Sequence, residues 1–585
     1  MTGPLQALAS RYDWLAAKGE VPAYGFSWEK ISYALVLGPE GGVLDVAPLL
    51  DISGKKPQPR SMLVPQAIKR TSGVASNFLW DKTSYVLGVS AKQGKRLVEE
   101  HAAFVKLHVD LLAGTNDEGL QALLAFLRSW KLERFADPPF RPEMLDANFV
   151  FRFDGSFLHD RPPAQTIWRA RLGSADATEA FCLVTGEKGP IARLHPSIKG
   201  VAGAQSSGAS LVSFNLDAFT SYGNEQGANA PVSEAAAFGY GAVLNALLTR
   251  DSRNSIRIGD ATVVFWAEND RAETLVRSFF EPPGPDDRSE AAVLRPILEQ
   301  MAQGRPIREV IPEIEPDTRF FILGLAPNAA RLSIRFWLET SFGELARRFQ
   351  DWWRDLRIEP NPWGGRPPAI WRLLYELAAQ RKAENVPAHL AGELTRAVLS
   401  GGRLPRSLLA TAIMRLRADH DVNGRRAAVC KSVLTRELRF QDSLKEDRLV
   451  SLDPDNPNPG YRLGRLFAVL ENVQRTALGG NVNATIRDRY YGAASATPAS
   501  VFPVLIRNAN HHLANLRKAA KGGLAYTFER EMGGILDGIG AAFPRNLGVE
   551  DQGRFAIGYY HERFSRGSSL PDSGEPDTID TSEKD

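Results

Sequence analysis

The chain has 585 residues, 43% hydrophobic and 24% charged, with a formal net charge of +3. At about 150 residues per domain this predicts three or four domains, and the composition excludes disordered, collagen-like and disulfide-stapled classes. The two cysteines, Cys182 and Cys430, are far apart and make neither a disulfide framework nor a zinc motif, which points to a reducing cytoplasm.

Taken in order, the first twenty residues suit a short helix, and the opening residues lack the charged and apolar regions of a signal peptide. ISYALVL, a GPEGG turn and VLDVAPLL predict a β-hairpin. VEEHAAFVKLHVDLLAG and EGLQALLAFLRSWKLERF carry apolar residues at helical spacing. ANFVFRFDGSFLHD alternates around a DG turn, a second hairpin. FCLVTGEKGPIARLHPSIKG adds a strand, a turn and a strand, and ATVVFWAEN a further strand. Around 270–318 the density of Pro, Asp and Glu predicts a surface insertion with one short helix. FFILGLAPNAARLSIRFWLET supplies two strands around a Pro-Asn turn, and from Ser341 the pattern becomes helical. DPDNPNPG has the composition of a linker, and four helical stretches with short connections follow it. No run approaches the roughly 18 apolar residues of a membrane span, so no membrane partner is expected.

The predicted class is therefore α+β: an α/β region with hairpins over 1–340, a helical region over 341–452, a linker at 453–460, a four-helix bundle over 461–566 and a disordered acidic tail at 567–585. Charge follows this division. Residues 52–96 hold nine Lys and Arg against the single acid Asp81, a net +8. Residues 461–566 hold fourteen Arg and Lys, again in excess over acids, whereas the tail carries six acids and Lys584. Two basic regions suggest a polyanion partner.

Catalytic patterns are absent from the sequence. GVSAKQGKR (88–96) has five residues between its glycines and lacks the hydroxyl of a P-loop. GAQSSG (203–208) has the wrong spacing for a nucleophile elbow. Adjacent His511 and His512 project about 100° apart on a helix and do not make a metal pair. No metal site, no cofactor and no enzymatic activity are expected; the alternative is a metal-dependent nuclease whose acids come from distant segments.

Three stretches suit binding instead. In KRTSGVASNFLWD (69–81), Lys69 and Arg70 suit phosphates, Ser72, Gly73, Ala75 and Ser76 allow close backbone approach, and Asn77 suits base edges. Phe78 reads either as a wedge between base pairs or as a core residue beneath a basic loop. The stretch 199–247 is dense in Gly, Ser and Asn, and its Gln205, Ser206, Ser207 and Asn215 offer neutral hydrogen-bonding groups that turns and caps also explain. Near the C-terminus Arg487, Arg489, Arg507, His511, Arg517, Lys518 and Lys521 cluster within 35 residues, and a basic stripe of this kind tracks a single strand.

The segments GFSWEKISYALVL, LLDISGKKPQPRSMLVPQAIKRTSGVASNFLWDKTSYVLGV, KGVAGAQSSGASLVSFNLDAFTSYGNEQGANAPVSEAAAF, FFILGLAPNAARLSIRFWLE and NATIRDRYYGAASATPASVFPVLIRNANHHL resemble the large subunit of type I-C CRISPR surveillance (Cascade) complexes, the Cas-eight-c or Csd-one proteins. That resemblance implies a non-catalytic, cytoplasmic prokaryotic protein at the foot of an RNA-guided complex. It implies recognition of the protospacer-adjacent motif in target duplex DNA, duplex opening and R-loop formation, with base pairing reading the remaining sequence. It also implies contact with the guide-RNA-bound backbone, foot and small subunits, a grip on the displaced strand, and recruitment of a helicase-nuclease. By the same resemblance Lys69, Arg70, Thr71, Ser72, Asn77 and Phe78 engage the motif, Gln205, Ser206, Ser207 and Asn215 are second-rank contacts, and the region after DPDNPNPG corresponds to the small subunit. Leu79 and Trp80 are then expected to anchor the motif loop.

Overall fold

The α+β reading holds. The computed structural model describes residues 2–51, 58–68, 70, 73–91, 96–173, 178–249, 252–258, 261–280, 296–301, 303–363, 368–441, 449–479 and 484–565. The chain divides into two compact units, one of residues 1–199 and 206–246, the other of 200–205 and 247–585.

In the first unit Tyr33–Leu37 and Val43–Pro48 form the expected hairpin. Its turn places Gly41 at φ +77°, where a side chain would be strained and a β-carbon would strike the backbone of Phe126. Tyr33–Leu37 pairs in parallel with Asn148–Phe153, which pairs on its other side with Trp80–Lys82 and turns back through the DG turn to Ser156–Phe157. A separate antiparallel pair joins Phe26–Ile31 to Gln58–Pro65. The helices Leu97–Leu112 and Glu118–Ser129 cover the central sheet. The second is capped by Asp117, whose carboxylate accepts the Leu120 N–H (3.0 Å) and the Arg161 guanidinium (2.9 Å). Leu35, Phe104, Leu120, Leu123, Phe149 and Phe151 fill the space between sheet and helices.

In the second unit Ser255–Ile258, Ala261–Ala267, Arg319–Asn328 and Arg331–Ser341 run as an antiparallel meander. Every residue of Ala261–Ala267 is buried, as befits an inner strand that is apolar but for Thr262, whose hydroxyl accepts the Ala202 N–H at 3.0 Å. Ser341 ends the sheet and caps the helix Phe342–Leu356, its Oγ accepting the Glu344 N–H at 3.2 Å. Phe342, Leu345, Phe349, Trp352 and Leu356 line the buried stripe of that helix. The segment 270–318, expected as a surface insertion, instead supplies core residues: Leu298, Met301, Ile311 and Ile314 are buried with the sheet. Asp355 lies in the same interior and binds Arg436 (2.5 Å) and Arg439, so the helices Phe342–Leu356 and Gly424–Phe440 are joined by a buried ion cluster.

DPDNPNPG has a linker's composition but is folded down. Asn458 caps Pro459–Leu478 through the Tyr461 N–H (3.0 Å) and donates to Asp551 (2.8 Å), while Arg465 donates to the Pro454 carbonyl (3.0 Å). The four expected C-terminal helices are Pro459–Leu478, Pro498–Lys518, Gly522–Asp537 and Val549–Phe564. A fifth, Ile486–Ala496, stands between the first two; it has little apolar periodicity and is set by a Thr485–Asp488 capping box. Pro459–Leu478 and Val549–Phe564 pack with backbones almost touching. Methyl groups at Gly464 or Gly558 would strike the carbonyl oxygens of Phe555 and Tyr461.

Candidate nucleic-acid interface

The segment 73–82 enters the sheet as Trp80–Lys82, opposite Asn148–Val150. Trp80 donates its indole N–H to the Pro65 carbonyl at 2.7 Å, so Leu79 and Trp80 form the expected anchor. Leu79 is buried with φ +60°, a conformation that costs about 1–3 kcal/mol and persists only when its surroundings hold it. What holds it is His108. The Leu79 N–H donates to His108 Nε2 (2.8 Å), so the ring proton sits on Nδ1, which donates to the Phe104 carbonyl (2.8 Å). The bond at Nε2 requires a neutral imidazole, and burial pushes its pKa down to about 4. Phe78 lies between two flat groups, its ring stacked on His108 and Trp168 at centroid distances of 5.5 and 5.4 Å.

Asp81 is the second fixed point. Its buried carboxylate binds the Arg70 guanidinium and accepts the backbone N–H groups of Asn77 (2.9 Å) and Lys82 (2.8 Å). Burial pushes the carboxyl pKa up, against the pull of Arg70 and of those N–H groups. Arg70 also donates to the Ala75 carbonyl (2.7 Å) and lies over the Tyr85 ring at 4.0 Å, leaving its side chain 26% exposed. The Asn77 side-chain oxygen accepts the Ile68 N–H at 2.9 Å.

These bonds correct the expected presentation of the motif residues. Phe78 is enclosed in the core rather than standing out as a wedge, because its apolar ring gains more from the His108–Trp168 stack than from water. Asn77 is buried and Arg70 is bonded within its own loop. Lys69, Thr71 and Ser72 lie outside the described residues.

Exposed cations occur on either side of that loop in the sequence. Arg60, Lys82 and Arg96 are exposed, and among the described residues none has an ion-pair partner. Strand pairing adds Lys30, which the charge window omitted. Lys82 stands opposite Asn148, the Asn148 amide donates to the Lys30 carbonyl (2.8 Å), and Arg60 stands opposite Ile31. Two residues from Lys30, on the same exposed face of its strand, Trp28 is 56% exposed. Neither Lys30 nor Trp28 carries a local motif; register places the Lys30 backbone beside Asn148, across from Lys82, whereas Arg60 shares the face of Ile31 on the other side of its strand pair.

In the polar loop Gln205, Ser206 and Ser207 are exposed, with no side-chain hydrogen bond among the described residues. Asn215 is exposed too but already has a partner. Asn229 shapes this stretch by accepting the Ser221 N–H (2.8 Å) and donating to the carbonyls of Asn224 and Gln226. The loop also presents Leu216, Phe219 and a fully exposed Tyr222, which its polar composition conceals.

On the C-terminal helices the predicted cations separate into two groups. Arg487 is half-buried against Asp488 (3.3 Å), and Arg517 is paired with Glu529. Arg489, Arg507, Lys518 and Lys521 are exposed and unpaired among the described residues, and His511 is exposed one turn beyond Arg507. Among the described residues no three His, Cys, Asp or Glu side chains group as a metal site, and no helix is long and apolar enough to cross a membrane.

No curated protein matches the chain. The family model described as CRISPR-associated protein (Cas_Csd1) matches residues 8–566.

Proposed function

The chain belongs to the Csd1 family, the large subunits of type I-C CRISPR complexes, and from that premise we propose that it is the non-catalytic subunit that grips target DNA and helps open it. The observation that carries this reading is the set of exposed cations Lys30, Arg60 and Lys82 on neighbouring strands, unpaired among the described residues, with Trp28 on the face of Lys30. Cations of this kind hold phosphates and set register on a duplex, and an exposed indole can stack on bases. Phe78, Asn77, Asp81 and His108 act at one remove, by fixing the shape of the loop that carries Arg70. Gln205, Ser206 and Ser207 are second-rank hydrogen-bonding contacts. Arg489, Arg507, His511, Lys518 and Lys521 hold the displaced strand.

Recognition of the protospacer-adjacent motif, R-loop formation and recruitment of a helicase-nuclease complete the proposal. The test uses the assembled guide-RNA complex and target duplexes with and without the adjacent motif. Binding that depends on the motif, and that weakens when Lys30, Arg60 and Lys82 become alanine, is the expected result; motif-independent binding by the wild type would contradict it. Purified protein with Mg²⁺ or Mn²⁺ should leave labelled DNA intact. Cleavage that is lost on substituting a single acid would establish a nuclease instead.

A further inference from the structure

A cleft of about 210 Å³ opens among the helices Pro459–Leu478, Ile486–Ala496 and Pro498–Lys518. It is smaller than the roughly 300–1,000 Å³ of sites for drug-sized ligands, so it suits one ring system. Leu470, Leu505 and Ala509 supply its apolar wall. Some of its polar groups are already committed. Thr485 Oγ1 hydrogen-bonds Glu471 (3.1 Å) and Asp488 (3.2 Å), and Gln474 Oε1 accepts the Ile486 N–H (2.8 Å). Others are not. Arg489, Tyr490 and Asn508 line the cleft with no side-chain hydrogen bond among the described residues, and His512 Nδ1 is buried there without a hydrogen-bond partner. A buried polar atom left unmet in a native structure calls for an explanation, and an absent ligand is one.

We propose that this cleft takes one unpaired nucleotide of single-stranded DNA, with Asn508 and His512 meeting the base edge, Tyr490 stacking on the ring and Arg489 holding the adjacent phosphate. Asn508 and His512 stand at i and i+4, on one face of their helix. Each offers one hydrogen-bond donor group and one acceptor, His512 because burial and the neighbouring His511 keep it neutral. Such a pair matches a base edge, and only an unpaired base has that edge free. Arg507 and His511, one residue earlier in each case, are exposed along the same helix. A strand whose phosphates follow Arg507 therefore passes the mouth of the cleft and can turn a base inward. The inference rests on the reading of these helices as the displaced-strand holder.

The full chain is titrated with a labelled single-stranded oligonucleotide and with the same strand carrying abasic residues. The wild type should bind the complete strand about tenfold more tightly, the effect of one well-stacked base. Tyr490→Ala should bind both strands nearly alike, Asn508→Ala/His512→Ala should keep only part of the preference, and both should leave the salt slope unchanged, since none of these residues is charged. A wild type that binds complete and abasic strands equally would overturn the pocket and leave strand holding intact. A wild type that binds no single-stranded DNA would remove both, and a stronger grip on RNA of the same sequence would overturn the assignment to DNA.

Discussion

The segment 66–82 and the helix Pro498–Lys518 carry similar chemistry, cations next to amides and rings, and use it in opposite ways. In the first, Arg70, Asn77, Phe78 and Asp81 are bonded to one another and to His108 and Trp168. In the second, Arg507, Asn508, His511 and Lys518 are exposed and unpaired among the described residues. The difference shows that a motif's composition does not say whether its groups are spent on folding or left for a ligand. Hydrogen-bond partners and burial decide it.

The comparison can be broken most severely at Phe78. Phe78→Ala empties a fully buried site and should destabilise the first unit by about 3–5 kcal/mol. Denaturant unfolding measures this, and a loss below about 1 kcal/mol would show that the ring is not part of the core. Asp81→Ala should cost about 3–5 kcal/mol, because Arg70 and the Asn77 N–H lose their common acceptor. Asp81→Asn, which keeps one acceptor oxygen, should cost less, and equal losses in the two variants would sink the hub role.

Acid should act on the same loop. The folded-state pKa of His108 is depressed to about 4, so its contribution is complete above the ordinary pKa of about 6.5 and is lost as pH falls toward 4. The full effect is on the order of 3 kcal/mol. The slope of stability against pH in that window should diminish in His108→Gln; a slope unchanged by the substitution would place the acid sensitivity elsewhere.

The smallest effect is expected on the exposed side. Arg507→Ala/Lys518→Ala/Lys521→Ala should leave folding within about 0.5 kcal/mol. It should flatten the salt dependence of single-strand binding by about two units of slope, at about 0.7 per phosphate contact. Arg517→Ala should flatten it less, because Glu529 already holds that guanidinium. If Arg517 matters as much as Lys518, pairing does not separate structural from ligand-facing cations in this protein.

Much of the fold was legible from local pattern. The hairpins at 33–48 and 148–157 follow from alternation around glycine turns, and the helix after Ser341 from its cap and apolar stripe. Ile486–Ala496 escaped because a capping box, rather than apolar spacing, marks it. Leu298, Met301, Ile311 and Ile314 escaped because their charged and proline-rich neighbours mask four core positions. The candidate site was less legible. Net charge located a basic region, but the pairing of Arg70 and Arg517 with acids eleven and twelve residues further on depends on how the chain turns back on itself. So does the placing of Lys30 and Lys82 on either side of Asn148 by strand register.

The central claim is that the exposed cations Lys30, Arg60 and Lys82, rather than the enclosed residues of the motif loop, grip the target duplex. The most direct measurement is the salt dependence of target-duplex binding by the assembled complex with and without Lys30→Ala/Arg60→Ala/Lys82→Ala. The account predicts an unchanged unfolding transition and a slope lowered by nearly three units, at about 0.9 per phosphate contact on duplex DNA. A slope equal to that of the wild type would contradict it.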